Sequence, residues 1–252
     1  MAGTNGGHDT DMMRDSGINR LSLVKDSRGL LVRREWPSVE VTQMLGISPE
    51  SEVIAQQLAA AQDVAPPVVE FDAARRFILM PFVEGSTLET DWMLRRERRA
   101  AVRELLDRLR SISSGALPTL DLVQRLGELQ ERLARASALQ AARWAQQVDE
   151  VIAKTRAVGP AGQVLVHGDL NPPNVIVRPD GSLYLIDWEY AHRGHADEDL
   201  AGLAAGSTAH AVELGAWSLQ PEVFEARTRL RALLDAVWLD LAAISASSAS
   251  AN

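Results

Sequence analysis

Cysteine is absent from this 252-residue sequence, which excludes disulfides, thiolate metal sites and cysteine nucleophiles together. Tyrosine and phenylalanine are scarce, at 2 and 4 copies, so half of the few aromatic faces come from 6 tryptophans. Long hydrophobic runs are lacking too. The most apolar late stretch, Leu233 to Ile244, is broken by Asp235 and Asp240, and the polar, Gly-rich segment Met1 to Asp11 lacks the apolar centre of a secretory signal. Basic runs are likewise missing. Lys and Arg number 26 against 34 acidic residues, a net charge of -8, and the cations are interspersed with acids, so there is no electrostatic footprint for nucleic acid. A soluble, cytoplasmic protein with a neutral or cationic small-molecule partner, and with neither nucleic acid nor membrane as partner, is expected.

The 46% hydrophobic content supports one substantial core or two lobes. Two apolar runs, Leu21 to Val24 and Leu30 to Val32, flank the turn-forming Lys25 to Gly29 and predict a β-hairpin. Ser48 followed by Pro49 predicts a helix start, with Val53, Leu58 and alanines to about Ala61 suited to the helix. Val68 to Phe71 and Phe77 to Val83 read as two further strands around a charged turn. From Leu88 to Arg156 the apolar spacing changes to three and four, as in Leu122, Leu126, Leu129 and Leu133, which predicts amphipathic helices. Val164 to Val166, Val175 to Val177 and Leu183 to Ile186 are short strand-like runs, the last two joined by a Pro179-Asp180-Gly181 turn. The pattern divides the chain into a disordered segment 1–15, an N-terminal lobe 16–83, a C-terminal lobe 84–245 and a disordered tail 246–252.

The chemistry is concentrated between His167 and Asp187. Asp169 and Asn174 fall on a polar loop between two strands, and Asp187 ends the next strand. Carboxylate and amide oxygens at such positions suit a hard magnesium ion bound together with substrate phosphates, while a neighbouring carboxylate orients a hydroxyl proton. Phosphoryl transfer needs this kind of positioning and charge neutralisation, without a covalent nucleophile.

The string His167-Gly168-Asp169, with Asn174 five residues after the aspartate, and the following Ile186-Asp187-Trp188-Glu189 resemble the aminoglycoside phosphotransferase and choline kinase superfamily. In motif they are closest to bacterial choline, ethanolamine and thiamine kinase-like proteins. The resemblance implies an α+β, protein-kinase-like two-lobed fold, with a small antiparallel sheet plus helix and a larger helical lobe. It implies ATP and Mg2+ as cofactors, Asp169 as base or hydroxyl-orienting residue, Asn174 and Asp187 as metal ligands, and His167 as a brace of the loop. Arg33, with Arg34 as the rival, stands where relatives meet the ATP phosphates, and Glu52 matches the acid that pairs with that residue. Phe77 to Gly85 is similar to the strand that crosses between lobes. By that resemblance the Pro81 carbonyl would accept from the adenine amino group and the Val83 N–H would donate to the ring. Around the phosphate-covering loop the sequence departs from the family, with Gly17 alone where relatives carry paired glycines.

For the acceptor, Trp188, Tyr190, Trp217 and Trp238 follow the catalytic loop and are expected to offer aromatic faces to an amine, with Glu189, Asp197 and Asp199 adding negative potential. Core packing competes for Trp217 and Trp238, and bracing of the catalytic loop competes for Asp199. The implied function is ATP-dependent phosphorylation of a small, cationic alcohol such as choline, ethanolamine or thiamine. An aminoglycoside acceptor, a catalytically inactive kinase-fold binding module and a metal-dependent phosphohydrolase are the alternatives. His192, His195 and His210 read as solvated loop residues, and the Arg95 to Arg110 charge run as a solvated helix face.

Overall fold

The structure is a computed structural model that describes residues 14–16, 19–115, 117–158, 164–205 and 208–249. The N-terminal lobe is an antiparallel sheet built from β1 (Arg14–Ser16), β2 (Asn19–Asp26), β3 (Gly29–Glu35), β4 (Glu70–Asp72) and β5 (Phe77–Pro81), in the order β1-β2-β3-β5-β4. The expected hairpin forms between β2 and β3. Asp26 Oδ1 accepts the Arg28 N–H at 2.7 Å, and Gly29 takes a φ of +113°, a conformation that side chains disfavour.

Side chains alternate across β3, and the alternation sorts the lobe into two apolar clusters. Val32 and Trp36 join Val53, Ile78 and Met80 on one face, whereas Leu31 joins Phe77 and Leu79 on the other. Helix α2 (Pro49–Ala60) covers the first face. Its start is the expected one, with Ser48 accepting the Ser51 N–H at 3.2 Å and Pro49 in the first turn. A helix that the sequence pattern did not indicate, α1 (Val39–Leu45), precedes it, capped by Ser38 and ended by Gly46 at a φ of +71°.

The C-terminal lobe opens with β6 (Ser86–Thr87) and continues through α3 (Arg96–Ser111), α4 (Leu122–Ala136) and α5 (Ala138–Ala157). Then follow β7 (Val164–Val166), β8 (Val175–Val177), β9 (Leu183–Leu185), β10 (His192–Gly194), α6 (Glu198–Ala205), α7 (Thr208–Gly215) and α8 (Pro221–Ala249). Strands β6, β8 and β9 form one small sheet, and β7 pairs with β10. Leu105, Leu106 and Leu109 of α3 pack with Leu165, Leu185 and Leu200 beneath these strands, and Ala55 and Ala59 of α2 enter the same core. Helix α2 therefore fastens the small lobe to the large one. A second core joins α4, α5 and α8 through Leu126 and Leu133, Val148, and Leu230 and Val237 respectively. Truncating a fully buried leucine such as Leu126 to alanine is expected to cost about 2–5 kcal/mol.

Four expectations are corrected. Arg14 and Asp15 lie in a strand that pairs with β2 instead of a disordered segment, because the Arg14 to Ser16 backbone finds partners on Asn19 to Leu21. Residues 1–13 lie outside the described residues. At the other end α8 continues to Ala249, so helix reaches into the stretch read as a disordered tail. The face of α3 ending at Arg110 is not wholly solvated, since Arg110 is only 11% exposed and donates to Asp197 at 2.8 Å. His192 and His195 are buried too, whereas His210 is half-buried beside Trp92.

Candidate active site

The loop that carries Asp169 leaves β7 at His167 and re-enters the small sheet at Val175. Gly168 adopts a φ of +81°, and a Cβ placed there would stand 2.3 Å from the Tyr190 carbonyl oxygen, so the close approach of these two segments requires glycine. Asp199, buried in the first turn of α6, accepts the N–H groups of His167 at 2.9 Å and Gly168 at 3.0 Å. Burial raises the Asp199 pKa from its ordinary value, and these two hydrogen bonds and His167 oppose the rise. His167 is itself fixed. Its Nδ1 accepts the Asp169 N–H at 3.3 Å, which leaves Nε2 to donate to the Ile186 carbonyl at 2.9 Å. One imidazole thus ties the loop to the residue before Asp187.

Asn174 reaches back across the loop, its Nδ2 donating to the Asp169 carbonyl and to Asp169 Oδ2, both at 2.9 Å. With Nδ2 so engaged, Oδ1 is the amide atom left for a metal. The backbone closes the third side, because the Ile186 N–H donates to the Asn174 carbonyl at 3.0 Å. Asp187 follows with a φ of +68°, uncommon for a residue with a Cβ, and its carboxylate turns toward the small lobe.

From that lobe Arg34 meets it. Arg34 on β3 is buried and pairs with Glu52 of α2, while its Nη2 lies 2.6 Å from both Asp187 Oδ1 and Glu189 Oε2. Trp36 donates to Glu52 at 2.6 Å and Asn19 donates to Glu189 at 2.7 Å. One guanidinium therefore answers three carboxylates. Burial and the nearby Asp187 push the Glu189 carboxyl up to about 7, with Arg34 and Asn19 only partly offsetting them. Burial works against charge on Arg34 as well, yet the three acids raise its pKa above the ordinary value.

This excess of negative charge, beside the Asn174 amide oxygen, suits a hard divalent cation. Among the described residues no three His, Asp or Glu side chains form a closed metal cage. Magnesium characteristically takes one or two carboxylates and completes its shell with phosphate and water. The residues present fit that mode.

The other expected site residues are placed as follows. Arg33 does not face the cleft: it pairs with Glu35 at 2.9 Å and lies over the Phe77 ring, and its rival Arg34 is the arginine that turns to the cleft. Strand alternation is the cause, since Arg33 shares the face of Leu31 and Arg34 the face of Trp36. Trp188 is fully buried, lies tilted against His167 with ring centroids 4.7 Å apart and donates to the Leu185 carbonyl, so it is a packing residue instead of a pocket wall. Trp217 is half-buried against Trp92 in the helical core. Asp199 grips the loop backbone and does not face an acceptor, and Asp197 is engaged by Arg110 and Ser218. Tyr190 is half-buried, and burial with the charge of Glu189 pushes its hydroxyl up to about 12. Trp238 is 48% exposed on α8. Pro81 and Val83 stand half-buried where β5 ends and the chain passes between lobes. Gly17 lies outside the described residues. Unforeseen is Arg231 of α8, which donates to Asp169 Oδ1 at 2.9 Å and to the Gly168 carbonyl. Its only sequence signal, a basic residue four before Asp235 on a helix, is common on any solvated helix.

A small sheet with a buried Arg–Glu pair, a helical lobe and an acid-bearing loop between them define a protein-kinase-like phosphotransferase fold. Residues 18–242 match the phosphotransferase enzyme family, and the chain belongs to it. Among solved structures, choline kinase LicA from Streptococcus pneumoniae superposes with a TM-score of 0.74 at 16% identity, over 92% of this chain and 85% of that one. A choline/ethanolamine kinase family protein from Mesorhizobium loti gives 0.66 at 18% identity, over 98% and 82%. A GDP complex of aminoglycoside 2'-phosphotransferase-IIIa gives 0.67 at 16%, over 98% and 88%. At these identities the likeness establishes the fold. No curated protein sequence matches the chain.

Proposed function

We propose that the chain is an ATP-dependent kinase that phosphorylates a hydroxyl group of a small molecule. The observation that carries the proposal is the meeting of Asp169, Asn174 and Asp187 beside a buried Arg34–Glu52 pair. Arg34 would leave Asp187 for the nucleotide phosphates when these arrive, and Asp187 with Asn174 Oδ1 would hold Mg2+, whose charge neutralises the phosphates. The Pro81 carbonyl and Val83 N–H would receive adenine. Asp169 orients the acceptor hydroxyl. The hydroxyl oxygen forms a bond to the γ-phosphorus as the bond to the β–γ bridging oxygen breaks, the hydroxyl proton passes to Asp169, and ADP leaves. Asp199 and His167 act earlier, by fixing the loop in the conformation that presents Asp169.

A GDP complex among the solved neighbours is in keeping with nucleotide use. Amine-bearing alcohols of the choline, ethanolamine or thiamine kind, with aminoglycosides next, enter the acceptor test on account of Glu189, Tyr190 and Trp238. Trp188 and Trp217 no longer support that choice. Incubation of the purified protein with ATP, Mg2+ and a panel of hydroxyl compounds, followed by mass spectrometry, tests the proposal. A phosphoryl mass gain on an acceptor supports it. Release of free phosphate with every acceptor unmodified would indicate a phosphohydrolase, and absence of nucleotide binding would indicate a binding module.

A further inference from the structure

Arg231 forms an ion pair with the proposed base. Its Nη2 lies 2.9 Å from Asp169 Oδ1, Nη1 donates to the Gly168 carbonyl and Nε lies 3.1 Å from Asp235 Oδ1. The other Asp169 oxygen is occupied by Asn174 at 2.9 Å. A hydroxyl that engages Asp169 at Oδ1 must therefore share that oxygen with Arg231 or replace it. Two groups bonded to one carboxylate oxygen stand only about 3–5 Å apart, so the acceptor lies directly against the guanidinium.

A second cation, paired with Glu128 at 3.8 Å, lies on α4. Arg125 of α4 lies 3.9 Å from where a Cβ on Gly46 would stand, and its charge reaches Tyr190. Trp188 and Trp217, which would have lined a cation box, are packed in the core. Asp169 and Asp235 are both engaged by Arg231, so an alcohol bearing only positive charge would have to compete with the guanidinium for either acid at the point of reaction. A carboxylate or phosphate would gain charge-assisted, two-pronged hydrogen bonds from the guanidinium fork. Asp235, whose side chain is 52% exposed, is the counter-ion such a group would displace into solvent.

We propose that Arg231 specifies the acceptor, and that the acceptor carries an anionic group, carboxylate or phosphate, beside the hydroxyl that is phosphorylated. The inference rests on the kinase reading above and replaces its purely cationic acceptors with acid-bearing ones.

The test compares initial rates with ATP and Mg2+ on choline and ethanolamine, which carry a cation alone, on serine, which carries both charges, and on glycerate and glycerol phosphate. Alcohols that carry an acid are expected to exceed the purely cationic ones at least tenfold in kcat/KM, with the glycerate and glycerol phosphate arms separating carboxylate from phosphate. Arg231→Gln is expected to raise the acceptor KM by roughly 10- to 100-fold while the KM for ATP stays constant, since one charged hydrogen-bond partner is lost. Asp235→Asn keeps the idea falsifiable if the first variant folds poorly. By removing the competing carboxylate it should lower the KM of an anionic acceptor several-fold, whereas it would raise the KM of a cationic one. Preference for choline or ethanolamine, an unchanged acceptor KM in Arg231→Gln, or a raised KM in Asp235→Asn overturns the inference. MgATP stabilisation without phosphorylation of any acid-bearing alcohol refutes the inference alone, whereas no stabilisation and no product refutes the kinase reading with it.

Discussion

In the cleft, Arg34 faces Glu52, Asp187 and Glu189, so a partly buried cluster carries more negative than positive charge. In the helical lobe, behind the catalytic loop, the pattern differs. There Glu198 joins His192 at 2.8 Å and Arg227, while Asp197 is matched by Arg110 at 2.8 Å. Despite burial, the hydrogen bond and charge of Glu198 raise the His192 pKa, and His192 and Arg227 lower that of Glu198, so each acid there has its own cation. A balanced cluster holds elements together. The unbalanced one leaves charge to be answered by a ligand, and here it lies where a metal and nucleotide are expected.

The largest expected effect separates chemistry from scaffold. Asp169→Asn should lower kcat by at least about 10²–10⁴ with only a small drop in melting temperature from the weakened Arg231 and Asn174 contacts, because the group that orients the hydroxyl is lost and its shape retained. Turnover within a few-fold of wild type would remove the proposed role. Breaking the balanced cluster should act on stability instead. Glu198→Ala leaves Arg227 and His192 buried without their acid and is expected to cost about 3–5 kcal/mol in denaturant unfolding. A change below 1 kcal/mol would show that the cluster is not structural.

A pH series sharpens the contrast. The Glu189 carboxyl is raised to about 7 from an ordinary value of 4.5, so its contribution to stability is full below the lower value and is lost as pH rises through the upper one. Glu189→Gln should therefore gain stability over wild type between pH 5 and 8, by on the order of 2–3 kcal/mol, read by chemical denaturation. A constant difference across that range would contradict the charge excess. The smallest effect is at Arg33. Arg33→Ala removes a partly exposed ion pair and a ring contact, worth roughly 0.5–1 kcal/mol, and should leave the KM for ATP unchanged. Arg34→Ala should raise that KM.

That pair of arginines shows what was legible in the sequence. The loop from His167 to Asn174 and the strands on either side of it could be read because local pattern determines them: short apolar runs, a turn and fixed spacing. The choice between Arg33 and Arg34 depends on strand parity, and the marker was present in Trp36. A large aromatic two residues after Arg34 shares its face, and both side chains meet Glu52. The fate of Trp188 was not local, since the left-handed turn at Asp187 directs the next side chain into the core. The buried histidines and Arg231 were illegible for a similar reason. Asp169 stands 62 residues from Arg231, and Glu198, six residues beyond His192, is 29 from Arg227, so it is the packing of α6 and α8 on the loop that buries these groups together.

The most direct measurement is the thermal shift produced by ATP with and without Mg2+, in wild type and in Asp187→Asn. A nucleotide-competent cleft predicts stabilisation of the wild type that grows when Mg2+ is added, and a variant in which the added gain disappears. Equal stabilisation of both proteins, with the same magnesium gain, would contradict a metal–phosphate centre at Asp187.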